Sequence, residues 1–158
     1  MNSSMHSMSR SPILLAGLTL LVVLALAGCA PAATPTPADP VQNIVWQWLS
    51  VTDRSTGATT TVPNPENYTI IFRPDNTLTG QADCNSFTGS YSQQNGFTIT
   101  LGATTMAFCG EASLDQQYLQ LLGSVAAGGP DGAGGFALET AGGAQRMLFE
   151  NGGAAPAQ

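Results

Sequence analysis

Few side chains in this sequence can attack a bond, hold a metal or relay a proton. There is one histidine, His6, and no lysine. His6 precedes a long apolar run, so nothing downstream has an imidazole partner. Ser-His-Asp and Cys-His relays are out of reach, and so is a lysine base. What remains are three cysteines, Cys29, Cys84 and Cys109, and ten carboxylates against four arginines. Acid pairs such as Asp75 with Asp83, or Glu111 with Asp115, are the types that glycoside hydrolysis uses. Carboxylates are mostly solvated surface groups, however. A zinc site would need those carboxylates together with two cysteines. The inventory therefore points to a non-enzymatic protein with no metal and no cofactor.

The first cysteine has a clear chemical setting. Arg10 is followed by a nearly unbroken apolar run from Pro12 to Ala25. That run is short of the roughly 20 residues of a membrane span and suits a signal peptide. Leu26-Ala27-Gly28-Cys29 comes directly after it and resembles a bacterial lipobox. Small residues before the cut fit a narrow peptidase pocket, and the thiol is the nucleophile that takes the diacylglycerol. The resemblance implies a lipoprotein held on a bacterial membrane outside the cytoplasm, in the cell envelope. The plainer alternative is an uncleaved anchor helix with an incidental cysteine. Acyl chains contribute about 0.8 kcal/mol per buried methylene, so several on Cys29 anchor firmly. The stretch APAATPTPADP over 30–40 has four prolines and no aromatic residue. It reads as an extended tether, reaching ~30 Å at about 3.1 Å per residue.

Cys84 and Cys109 remain. An even number of cysteines in an oxidising compartment implies a disulfide, worth roughly 3.5 kcal/mol for a loop of this length. A reactive thiol pair or half of a metal site are the competing readings. No C-x-x-C motif supports either.

The elements that must position these residues are mostly strands. Val45, Gln47, Leu49 and Val51 alternate on one face of a strand whose other face carries Trp46 and Trp48. Tyr68–Phe72 and Leu78–Ala82 flank an Arg73-Pro-Asp-Asn-Thr77 turn, where proline presets φ and Asp and Asn bond nearby backbone. Phe87–Tyr91 and Phe97–Leu101 flank Asn95-Gly96, a strong hairpin signal. Phe136–Thr140 and Arg146–Glu150 flank a Gly-Gly loop. One segment has helical spacing: Leu114, Tyr118, Leu121 and Leu122. Ser113 with Gln116 forms a capping-box pattern at its start, and Gly123 stands at its end. The glycine-rich stretch 128–135 matches no phosphate-binding pattern and reads as a flexible loop. Short strands at this spacing predict a sandwich or small barrel. The expected organisation is a signal peptide over 1–28, a lipidated tether over 29–40, one domain over 41–150, and a disordered tail over 151–158.

The ordered motifs resemble a known family. Phe72-Arg-Pro-Asp-Asn-Thr-Leu-Thr-Gly80 is followed by Cys84-Asn85-Ser-Phe87-Thr-Gly89-Ser-Tyr91. Then come Ala103-Thr-Thr-Met106-Ala-Phe-Cys109, Tyr118-Leu-x-Leu-Leu122 and Met147-Leu-Phe149. Together, with Trp46 or Trp48 as the early tryptophan, they resemble the META domain, also called HslJ-like, over roughly 43–150. Asn76 stands where that family usually has glycine, Asp83 where a small residue is common, and Gly110 where proline often follows the second cysteine. The resemblance implies a mainly β (α+β) fold, a small incomplete antiparallel β-barrel interrupted by one short helix. It also implies an envelope role of the kind linked to heat shock, novobiocin tolerance or virulence. It supplies no catalytic residues.

Asn85, Gly89, Thr104 and Thr105 form the polar group beside the cysteine pair. Asn85 suits a strand end with a left-handed φ, Gly89 a bulge or barrel bend, and the threonines spare backbone groups. Their role is structural, or a binding surface. Without Arg10 the chain has three arginines against ten acids, a net charge near −7. That excludes nucleic acid as a partner, since phosphate binding rests on clustered Lys and Arg. Attachment to anionic lipid must likewise come from the acyl chains. The expectation is a monomer, acting in stress response or envelope integrity through a protein partner. The second reading is a secreted inhibitor or carrier with a peptide or hydrophobic ligand in the barrel mouth. The many large side chains that would fill the interior argue against it.

Overall fold

The computed structural model describes residues 39–157. The expected signal peptide, Cys29 and most of the tether lie outside the described residues. The chain forms β1 (Ile44–Asp53), β2 (Thr59–Thr61), β3 (Tyr68–Phe72), β4 (Thr77–Ala82), β5 (Asn85–Ser92) and β6 (Thr98–Thr104). Helix α1 (Asp115–Leu122) follows, then β7 (Val125–Pro130), β8 (Phe136–Thr140) and β9 (Gln145–Ala154). The strands make one antiparallel sheet in the order β6-β5-β4-β3-β1-β9-β8-β7, with β2 on the side of β1. The sheet curls into a half-barrel with α1 as the one α-helix among the described residues. The amide of Phe97, just before β6, donates to the Ala126 carbonyl in β7 and draws the two outer edges together there. Along β4 and β6 the helix packs against the sheet.

The interior is filled by rings. Trp46, Trp48, Phe72, Phe87, Phe97, Phe136 and Phe149 are all buried. Phe136 lies within 5.2–5.8 Å, centroid to centroid, of Trp46, Phe72, Phe97 and Phe149. Tyr118 of α1 stacks on Trp48 at 5.0 Å. Offset and edge-on contacts of this kind add to the area they bury. Burial of Tyr118 pushes its phenol well above the ordinary value.

The three expected hairpins form, with registers such as Phe72 opposite Leu78, Tyr91 opposite Ile99 and Leu138 opposite Met147. Four details differ from the sequence reading. In β1 the pairing with β9 slips between Trp48 and Ser50. The bulge at Leu49 reverses the alternation, so Val51 turns inward with Trp46 and Trp48 and not with Val45. The glycine-rich stretch is strand in its first half, because β7 runs through Pro130 and pairs with β8. A β-carbon on Gly128 would come within 2.6 Å of Leu138 and 3.1 Å of the Phe97 ring, so the bare backbone makes room for those two core side chains. Only Asp131–Gly135 is a turn, with the Asp131 carboxylate accepting the amides of Ala133 and Gly135. The expected tail is ordered to Ala154, which pairs with Ile44 in β1, and the Ala155 amide donates to Asn43.

The helix starts at Asp115, two residues later than its capping-box pattern suggested, and no side chain caps it from Leu114. Its first amides are taken elsewhere. The Leu114 amide donates to the Tyr68 hydroxyl at 2.9 Å, and the Asp115 amide donates to Ser113 Oγ at 3.2 Å. Gly123 ends the helix at φ −67°, so its left-handed freedom is not used.

Candidate functional site

Cys84 lies in the two-residue turn between β4 and β5, where Ala82 pairs with Asn85. Asp83 occupies the left-handed position of that turn at φ +58°, which Asp tolerates better than most residues. Cys84 is joined to Cys109 by a disulfide with Cα atoms 5.6 Å apart. The bridge ties the turn to the segment between β6 and α1. Both cysteines are thereby consumed in the expected disulfide, which leaves neither a reactive thiol nor a metal ligand.

Asn85, the first residue of β5, is 2 % exposed. The sequence reading expects a left-handed φ here. Instead its side chain reaches the neighbouring loop, because the positive φ is taken by Asp83 and a β-strand carries Asn85 inward. Oδ1 accepts the Ala107 amide at 2.7 Å and the Thr105 hydroxyl at 3.1 Å. Nδ2 donates to the Ala107 carbonyl at 3.0 Å, to Asp115 Oδ2 at 3.0 Å and to Cys109 Sγ at 3.2 Å. One buried amide thus joins the β4–β5 turn, the disulfide loop and the start of α1. An aspartate could not replace it, since an acceptor would face the Ala107 carbonyl and the Asp115 carboxylate.

Thr105 belongs to the same network. Its amide donates to the Ser86 carbonyl at 3.0 Å, and its Oγ1 accepts the Ser86 amide at 2.9 Å, which extends the β5–β6 ladder past the end of β6. Thr104 does not join it. It pairs with Phe87 in the ladder, and its hydroxyl reaches only its own strand, at 3.5 Å from the Gly102 carbonyl. Thr104, Thr105, Ser86 and Thr88 line a shallow cleft of about 430 Å³. Gly89 sits where the β5–β6 register slips, with the extra residue in β6. A β-carbon there would stand 2.3 Å from the Thr100 carbonyl oxygen, so the expected bulge needs its glycine.

The loop held by this clamp carries the two large apolar side chains most open to solvent among the described residues. Met106 and Phe108, on either side of Ala107, are each 85 % exposed. Beside them a cleft of about 390 Å³ runs between the loop and the start of α1, bordered by Glu111 and Asp115. Gly110 turns the chain at φ +99°, a conformation closed to proline.

Residues 39–152 match the family model described as the META domain. The chain belongs to the META domain family. No curated protein sequence matches it. Two solved structures resemble this META domain. One is an NMR structure of a protein from Burkholderia xenovorans, 18 % identical, with a TM-score of 0.55 over 78 % of this chain and 94 % of the other. The other is a crystal structure of a DUF4847 family protein from Bacteroides vulgatus, 13 % identical, with a TM-score of 0.52 over 75 % of this chain and 96 % of the other. At these identities the likeness is one of fold.

Within the META domain one member of each acid pair is engaged in structure. Asp75 Oδ1 accepts the amide and hydroxyl of Thr77, and those bonds hold its carboxyl below the ordinary value, the opposite of what a general acid needs. Asp115 bonds Asn85. Asn76 adopts φ +64° where the family's glycine would stand, which explains how the turn tolerates the exchange. Sequence reasoning did not foresee the roles of Tyr68, Asp115 and Ala107, or the exposure of Met106 and Phe108. The last had a signal: two large apolar residues in a short segment with no period, beside a cysteine.

Proposed function

We propose that this META domain is a lipid-anchored, non-catalytic binding module of the bacterial cell envelope, serving stress response or envelope integrity. Its contact surface is the loop between β6 and α1. The observation that carries the reading is the pairing of an anchored backbone with exposed side chains. The backbone of Ala107 is clamped by Asn85 and the disulfide, while Met106 and Phe108 stand 85 % exposed. A monomeric domain gains nothing from ordering two large apolar groups in water, and such groups commonly mark contact sites. The reading as a non-enzyme is supported by the lack of lysine and of any histidine after His6. The filled interior argues against a ligand carried inside the barrel. Lipidation at Cys29 would leave the domain on a tether reaching ~30 Å from the membrane.

The test has two arms in the producing cell. Cys29→Ser should abolish lipid labelling and release the protein from membranes; unchanged labelling refutes the anchor. A Met106→Ser/Phe108→Ser variant should be exported and folded as wild type yet fail to rescue a deletion strain under envelope stress. Full rescue refutes the loop as the contact surface.

A further inference from the structure

Resting on that reading, we infer that the loop's partner is a polypeptide with an apolar stripe bordered by lysine or arginine. The apolar half of the match is set by Met106 and Phe108. The thioether is a soft, adaptable contact and the ring a rigid one. The charged half is set by their surroundings. Asp83 is next to Cys84, and Glu111 and Asp115 border the cleft beside the loop. No described arginine is free to neutralise them there. Arg54 and Arg146 both pair with Glu139, at 2.6 and 2.7 Å, and Arg73 bonds Asn43 and the Pro156 carbonyl.

Charge complementarity selects among the possible occupants. An anionic lipid surface would meet three carboxylates and a domain whose described residues carry ten acids and three arginines. A second copy would bring the same acidic face and repel. A basic amphipathic segment satisfies both halves. Its apolar stripe covers Met106 and Phe108, and its cations reach Glu111 and Asp115. The clamp on Ala107 means that little conformational entropy is lost on docking.

The experiment titrates the mature domain with an amphipathic leucine–lysine helical peptide and with its leucine–glutamate counterpart, followed by NMR. The lysine peptide should bind, with shifts centred on Met106, Phe108, Glu111 and Asp115, and added salt should weaken it. Met106→Ser/Phe108→Ser leaves the charge unchanged and should bind roughly tenfold or more weakly, given the apolar area it removes. The inference is overturned if the double variant binds as well as wild type, or if the glutamate peptide binds equally. It is also overturned if the loop resonances respond to phosphatidylcholine/phosphatidylglycerol vesicles and not to the peptide, or to protein concentration alone. Failure here combined with loss of rescue in the double variant leaves the binding-module reading standing with a different partner. Retained peptide binding at the loop with full rescue by the double variant removes that reading instead.

Discussion

The side-chain amide of Asn85 brackets the backbone of residue Ala107. Its oxygen accepts the Ala107 N–H at 2.7 Å and its nitrogen donates to the Ala107 C=O at 3.0 Å. Side chain and backbone pair as two strands would, at a place where the sheet has ended. A loop with no regular structure thereby has the backbone satisfaction that buried polar groups require. Asn85→Ala leaves those partners unmatched and should cost about 1–3 kcal/mol, a Tm drop of roughly 5–15 °C. Asn85→Asp should cost at least as much, because it places like charge beside Asp115. Calorimetry of the two variants decides the matter, and wild-type stability in either contradicts the role.

The hydroxyl of Tyr118 is fully buried and has no hydrogen-bond partner among the described residues. Tyr118→Phe keeps the stack on Trp48 and removes a desolvated polar atom. It should leave stability unchanged or raise it by about 1 kcal/mol. Denaturant unfolding measures this, and a clear loss of stability would show that the hydroxyl is satisfied in solution.

Gly89 should tolerate no side chain. Alanine would press its methyl against the Thr100 carbonyl, 2.3 Å away on ideal geometry, and force β5 and β6 apart. The expected penalty is about 1–3 kcal/mol, with faster hydrogen exchange confined to the β5–β6 ladder. Uniform exchange rates in Gly89→Ala would contradict the local origin.

Much of this was legible in the sequence, and the exceptions share a cause. The hairpins were readable because their turns need special residues: Pro74 with Asn76, and Asn95 with Gly96 at φ +61° and +119°. The disulfide followed from the cysteine count and the expected compartment, and the bulge from Gly89. What stayed hidden depends on contacts far along the chain. The slip at Leu49 is set by pairing with β9, and Gly128 is a strand residue because Phe97 and Leu138 fill its side-chain space. Asn85 looked like a local turn former because its partners, 20 to 30 residues away, carry no pattern of their own. The strands were legible in the residues and the incomplete barrel through the family resemblance, and the clamp that distinguishes its loop was not.

Asp75 gives a pH-dependent signature. Bonds from Thr77, hydroxyl first and amide second, hold its carboxyl below the ordinary 3.8. The folded state therefore binds fewer protons than the unfolded state in acid. The contribution is present above the unfolded value and is lost as pH falls through the lower folded value. Thr77→Val should raise the Asp75 pKa toward the ordinary range in an NMR titration. An unmoved titration would mean that the turn bonds do not form.

The central claim is that a disulfide and a single buried amide hold the Met106–Phe108 loop rigid in water. Backbone ¹⁵N relaxation across residues 105–111 of the oxidised domain tests it most directly. Order parameters of about 0.85, matching the strands, are predicted for the wild type, with a fall in Asn85→Ala. Values below about 0.6 in the wild type, the range of a flexible segment, would contradict it.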